Sequence, residues 1–500
     1  MPYIRTGGLP QLLLGACRRH WLLSLVLVAG VALRVLTWFA YQPALLYIDT
    51  FRYLENLVEL SPDQLNPIGY SVILSPLLLG VNLSTVAAVQ HALGVGIALA
   101  LYVLALRHGV SRWLAAVVAA VVLLDGYQLQ IEQNILSEVW FQALLVGVLW
   151  ALLGRGQPSA ARAALAGVLL GASVLVRLIG GTLLVPMVLY LLLAGITRGG
   201  LRQGLGDRAR WKRAAKRTTA GVLGFAVVIG LYAGYYRAAT GEWGLTGAST
   251  RVLYGRMATV ADCTELPLSP QLEMFCPDEP VDAREGVDHY AHFVYGHPDW
   301  PPELPADANK AQLGNEFGWT VLRNQPLDVA IAVLGDFAKF FTWTKFTWPN
   351  DVPIERWQFQ TSYPILDPAT VETALRYDDV APTANEDLAS FLRGYQLGGG
   401  YTPGVLLAVA AACGLAAGAG FGHAQGSGLR SAALLATGSG LIILLGSVAF
   451  EFSWRYELPA LVLLPLGGAI GVTALRGRGS PPSSAPATAR HSRTRSTRRQ

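Results

Sequence analysis

WLLSLVLVAGVALRVLTWFAY, running from Trp21 to Tyr41, is the stretch on which the fold turns. It is long enough to cross the hydrocarbon core of a bilayer, which takes about 20 apolar residues in a helix. It is too long for the apolar segment of a signal peptide, no small-residue cleavage site closes it, and many similar runs follow. It therefore reads as a retained membrane span. The rest of the chain agrees: of 500 residues, 52% are hydrophobic and 14% charged, where a water-soluble domain carries about 25% charged residues.

Further apolar runs place spans at 84–106, 113–130, 136–153, 162–178, 180–197, 218–237, 403–420, 431–450 and 457–475. The segment 162–197 must be two helices, because one helix of about 35 residues would run about 50 Å against a core of about 30 Å. Gly180-Gly181 is the natural turn between them. The expectation is a polytopic all-α membrane protein of about ten transmembrane helices.

Positive charge sets the orientation, because Lys and Arg gather on the cytoplasmic side. The loop Arg198–Arg217 is strongly basic with Asp207 its only acid, and the tail after Leu475 is basic with none. The N-terminal Arg5, Arg18 and Arg19, and the turns at 107–112 and 155–162, are basic too. An even number of spans puts all of these on one side, so both termini are expected in the cytoplasm of a bacterial cell, with the chain crossing its plasma membrane. The apolar stretches 67–80 and 327–346 then read as helices lying on the outer surface.

The organisation expected is a transmembrane core over 1–237 with a first outer loop at 42–83, and an extracytoplasmic domain over 238–402. C-terminal spans follow over 403–475, and a disordered basic tail over 476–500. The 238–402 segment holds most of the acids and many tryptophans and prolines, and its helical signals are few. Cys263 and Cys276 lie in it with 12 residues between them. An oxidising outer compartment makes them a disulfide. The stretch DHYAHFVYGHP places His289, His292 and His297 near Asp288, but the spacing fits no standard metal signature and reads as surface histidines.

The outer side also gathers acids at the helix mouths. YIDTFRYLE follows the first span, with Asp49 set so that Arg52 or Tyr53 can share its face of a short helix. QIEQNILSE brings Glu132 and Glu138 to the mouth of the third and fourth spans. Acids at membrane depth are costly and point to function.

DTFRYLE, from Asp49, resembles the D-x-x-R-Y motif in the first outer loop of the GT-C class of membrane glycosyltransferases. This class includes the protein O-mannosyltransferases and the lipid A aminoarabinose transferases. NPIGYSVILSPLL, from Asn66, is similar to that family's H-P-P-G-Y or K-P-P-x-x-Y segment. SWRYELPALVLLPL, from Ser453, resembles the R-Y-x-L-P pattern that opens the last span, and LSEVWF resembles the acid-bearing start of the fourth. The resemblance covers about 1–237 and 403–475. Where the family carries His or Lys before its first proline, this chain has Asn66, so any phosphate charge at that position passes to an arginine.

The resemblance implies an outer-leaflet cavity and a polyprenyl-phosphate sugar donor. Asp49 would be the general base in an inverting transfer to a glycan, glycolipid or protein acceptor. Arg52, Tyr53, Asn66, Tyr70, Glu132, Glu138, Arg177, Arg455 and Tyr456 would bind substrate, and Arg251 and Arg256 are further outer arginines for the phosphate. Arginine suits phosphate geometry. No metal ligand set or cofactor is assigned, although Glu132 and Glu138 could orient the acceptor or hold a divalent cation. No nucleic-acid partner is expected. The alternative class is a transporter or flippase of lipid-linked or anionic substrates. It predicts an inverted repeat and polar residues at mid-membrane, whereas an outer-leaflet enzyme predicts them at the mouths.

Overall fold

The computed structural model describes residues 15–477, except 16, 60–61, 63–64, 155, 195–206, 248, 303 and 306. The tail from 478 onward and most of the basic loop before Asp207 lie outside the described residues. The described residues are mostly helical, and a two-residue pair of strands is the one sheet among them.

The helices in order are α1 (Trp21–Ala40), α2 (Ile48–Glu59), α3 (Gly69–Ile73), α4 (Leu83–Arg107), α5 (Arg112–Leu124), α6 (Gly126–Gln133), α7 (Glu138–Leu152), α8 (Ala160–Val176), α9 (Leu184–Leu193) and α10 (Arg208–Thr240). The outer segment adds α11 (Ser249–Ala258), α12 (Lys310–Asn324), α13 (Pro326–Lys339), α14 (Pro368–Asp378) and α15 (Glu386–Leu397). Then come α16 (Gly404–Ala419), α17 (Arg430–Val448) and α18 (Leu458–Leu475).

Among the described residues, five helices are long and apolar enough to cross a membrane: α1, α4, α10, α17 and the stretch Trp454–Leu475. The bent pair α5–α6 makes a sixth if it counts as one span. α7, α8, α16 and the stretch Leu178–Leu193 are shorter apolar helices. Trp21, Leu25 and Val28 on α1, and Leu223, Val227 and Leu231 on α10, point away from the protein. Stripes of this size are stable only against an apolar solvent. α8 and α10 pack backbone to backbone: a Cβ at Gly167 would collide with the Gly221 carbonyl, and one at Gly224 with that of Ala164. Small residues at a close crossing are the usual way helices associate in lipid.

One expectation needs correction. The span placed at 113–130 is broken, with α5 and α6 meeting at 47°. Asp125 makes the break: its Oδ1 accepts from the Tyr127 and Gln128 amides at 3.0 and 3.1 Å, which starts a new helix. Its Oδ2 accepts from the Thr402 amide at 2.7 Å, tying the break to the end of the outer segment. The 238–402 segment, whose internal fold the sequence left open, is rich in helices. α12 buries Gly314, Phe317, Gly318 and Val321, which is helical spacing, but the two glycines leave almost no apolar stripe to read.

The first half of the outer segment has its own core around Tyr254, Phe275, Tyr290 and Phe317. The expected disulfide is present, Cys263 to Cys276, with Cα atoms 6.2 Å apart. The second half does not stand apart. Trp357 and Ile354 pack with Tyr53, Leu57 and Tyr70 of the first loop, and Phe359 stacks on Tyr41. Strand β2 (Thr383–Ala384) pairs with β1 (Tyr41–Gln42), Tyr41 opposite Ala384. α13 starts where the expected surface helix does but ends at Lys339, and it turns Leu327, Ile331 and Leu334 outward at 74%, 69% and 57% exposure.

Candidate functional site

Asp49 sits in the first turn of α2, and the chain before that helix is fixed by the α6–α7 connection. Leu45 donates its amide to the Gln133 carbonyl at 3.0 Å and accepts from the Ile135 amide at 3.0 Å. Thr50 Oγ1 donates to the Ile135 carbonyl at 3.0 Å. The first loop is therefore clamped to the helix mouth on both sides of Asp49.

A cavity of about 820 Å³ opens there, lined by Asp49, Arg52, Tyr53, Asn66, Arg177, Arg455 and Tyr456 among others. These seven come from four separated parts of the chain and are seven of the ten site residues expected from the sequence. The charged ones form a chain of ion pairs. Arg52 Nη1 lies 3.1 Å from Asp49 Oδ1, and Arg455 Nη1 lies 2.7 Å from Asp49 Oδ2. Arg455 Nε lies 3.3 Å from Glu138 Oε1, and Arg177 Nη1 pairs with the same oxygen. Three guanidiniums thus meet two carboxylates, leaving one positive charge uncompensated. Arg455 also stacks over the Trp357 ring at 4.8 Å. Ile48, Leu178, Ile179, Val252, Phe293 and Phe450 form the apolar side of the same cavity.

The charges tune one another. Burial disfavours the Asp49 carboxylate, but the guanidinium of Arg455 outweighs it with help from Arg52 and Arg177, so the carboxyl titrates below its ordinary range. Glu451, also in the cavity, is pushed up to about 8. Burial is the main cause, Asp288 and Asp49 add repulsion, and Arg455 and Arg356 offset only part.

Three expected site residues do not line the cavity. Glu132 is fully buried behind it, because the α5–α6 bend turns it inward: Oε1 accepts from Arg34 Nη2 at 2.8 Å and Gln128 Nε2 at 3.1 Å, and Oε2 meets His91 Nδ1 at 2.9 Å. Tyr70 is fully buried and donates its hydroxyl to Gln90 Oε1 at 2.8 Å. Gln90 in turn donates to the Glu132 and Asn134 carbonyls. Tyr70 thus ties the first loop to α4, and Glu132 fastens α1, α4 and α6 to one another, rather than meeting a ligand. Glu138 is also buried, and it holds Arg177 and Arg455 from behind. Of the other outer arginines, Arg251 lines the cavity, whereas Arg256 is spent on Asp336 at 2.6 Å and the Val448 carbonyl at 2.7 Å.

Tyr47, Arg356, Trp357 and Glu451, to which the sequence assigned no role, line the cavity, and so do Asp288 and His292, expected at the surface. His292 is therefore no ordinary surface histidine, and its four-residue spacing from Asp288 was the available sign. Donor atoms of Asp288, His292 and Glu451 lie within 4.8 Å of one another. The set fits a cation poorly. Arg251 Nη2 approaches His292 Nδ1 at 2.7 Å, and a guanidinium only donates, so the ring proton must sit on Nε2. Neither ring nitrogen then offers a free lone pair.

Set against family models, curated proteins and solved structures, the chain matches none.

Proposed function

We propose that this protein is an inverting glycosyltransferase that takes a sugar from a polyprenyl-phosphate donor and passes it to a hydroxyl of a cell-envelope acceptor. It works at the outer face of a bacterial plasma membrane, crossed about ten times, with both termini inside. The observation that carries the reading is the pairing of one carboxylate, Asp49, with a guanidinium cluster of net positive charge beside an apolar wall. A donor of this class needs those three surfaces: cations for its phosphate, an apolar flank for its prenyl chain, and a base for the incoming hydroxyl.

In the reaction the acceptor oxygen attacks the anomeric carbon from the side opposite the phosphate. Asp49 takes the hydroxyl proton as the new C–O bond forms. The old C–O bond breaks and its electron pair stays on the phosphate oxygen, where Arg455, Arg52 and Arg177 stabilise the growing charge. A lipid phosphate is already a good leaving group, so no general acid is needed. No step is routed through a metal.

The transport reading has one observation to its credit, the buried Arg34, His91 and Glu132 cluster within the helices. Those side chains are bonded to one another, to Gln133 and to backbone carbonyls, with only the Arg34 Nε left over, and they are closed to solvent, which describes a fastening rather than a path.

Three measurements test the proposal here. A reporter active only outside the cytoplasm should be silent when fused at Gly206 and active when fused near Asp307; the reverse would put Asp49 in the wrong compartment. Arg455→Ala should weaken binding of polyprenyl phosphate about 10- to 100-fold, the worth of one or two charge-assisted hydrogen bonds; unchanged affinity would remove the phosphate role. Above about pH 8 Glu451 ionises and repels the donor phosphate. Transfer efficiency, kcat/KM for the donor, should fall as pH rises through that value, and Glu451→Gln should flatten the limb; an alkaline limb that persists in the variant would assign it elsewhere.

A further inference from the structure

Asp49 is held in a way that suits an idle base better than a working one. Both of its carboxylate oxygens are taken by guanidiniums, Arg52 on one and Arg455 on the other. A carboxylate so paired binds protons weakly, and base efficiency falls with basicity. The same guanidiniums line the cavity and are the cations it offers beside Asp49 to a phosphate. The donor phosphate and the base therefore compete for one set of partners.

Glu138 offers the way out. Its Oε2 is buried and has no hydrogen-bond partner, and the Arg455 Nε–H is also buried without one. Arg455 Nε stands 3.3 Å from Glu138 Oε1, within ion-pair range but badly aligned. Buried polar atoms left unpaired in this way are costly. The Glu138 carboxylate can accept from the Arg455 Nε–H once Arg455 turns away from Asp49, because the one holds an unpaired acceptor and the other is an unpaired donor.

Resting on the function proposed above, we propose that Arg455 is a two-position residue. Without donor it neutralises Asp49; with donor it pairs with Glu138 and the phosphate, and Asp49 is released to act as base only when a sugar is in place. Arg455 is thus a phosphate-binding residue that also positions and arms the base. A cavity without donor then holds no free base to activate a stray hydroxyl.

Competition has a signature that a plain structural ion pair lacks: removing the catalytic carboxylate should improve phosphate binding. The probe is polyprenyl phosphate without a sugar, titrated into purified protein in detergent. Asp49→Asn should bind it about tenfold more tightly than wild type, the value of one charge-assisted hydrogen bond no longer contested. Asp49→Ala, which removes the competitor outright, should behave alike. Asp288→Asn takes an acid from the same cavity without touching Arg455 and so measures the share of bulk charge alone; it should tighten binding clearly less than the Asp49 variants do. Equal tightening by all three variants would mean that only bulk charge is at work, and no tightening by the Asp49 variants would mean no competition; either result overturns the exchange. If wild type and every variant fail to bind the probe, the donor reading itself falls and takes this inference with it.

Discussion

Asparagine at position 49 should lower sugar transfer about 10²- to 10⁴-fold, the usual worth of a general base. The substitution keeps the shape of the side chain and one hydrogen-bond acceptor for Arg455, so α2 and the cavity should persist. What it removes is the proton-accepting charge. Among the described residues, Asp49 is the one acid that pairs with both Arg52 and Arg455. The assay is transfer of radiolabel from polyprenyl-phosphate sugar into membranes, compared at matched protein level. Donor binding should not weaken. A variant that transfers at the wild-type rate would dismiss Asp49 as the base and leave Asp288 and Glu451 as the carboxylates to test.

The second large effect concerns stability. Glu132→Ala should destabilise the fold by about 3–5 kcal/mol, because it strands the buried Arg34 guanidinium without its anion. Arg34 is 3% exposed and Glu132 is sealed completely. The loss would spread to the site, since the Glu132 region carries the backbone contacts that clamp the first loop through Leu45. The expected observation is a large fall in melting temperature and in folded yield from detergent extracts. Activity lost at an unchanged melting temperature would instead mean that Glu132 serves the chemistry directly.

The membrane character was legible because runs such as Trp21–Tyr41 have no other stable solvent. The union of Asp49, Arg52, Arg177 and Arg455 was legible from local patterns at helix mouths. Sequence adjacency to a mouth was a poor guide to exposure, however. Glu132 and Glu138 are six residues apart in the chain, yet the bend at Asp125 carries one into the helix bundle and leaves the other behind the arginines. A single aspartate within an apolar run gives no warning that it will cap a new helix. The outer segment was hard to read for a different reason: its helices bury glycines and aromatic rings from distant loops, so their periodicity is faint. Glu451 and His292 reach the cavity only through that packing; the spacing of His292 from Asp288 hints at a pair on one helical turn, but nothing local joins either to Glu451.

The central claim is that the chain consumes a sugar carried on a polyprenyl phosphate. Mass spectrometry of membrane lipids and envelope glycans addresses it most directly, comparing a deletion strain with the same strain carrying wild-type or Asp49→Asn protein. The account predicts that polyprenyl-phosphate sugar accumulates on deletion while an envelope glycan, glycolipid or glycoprotein loses that sugar. The wild-type gene should restore both and the Asp49→Asn gene neither. Lipid-linked sugars and envelope glycans that stay unchanged on deletion would contradict it.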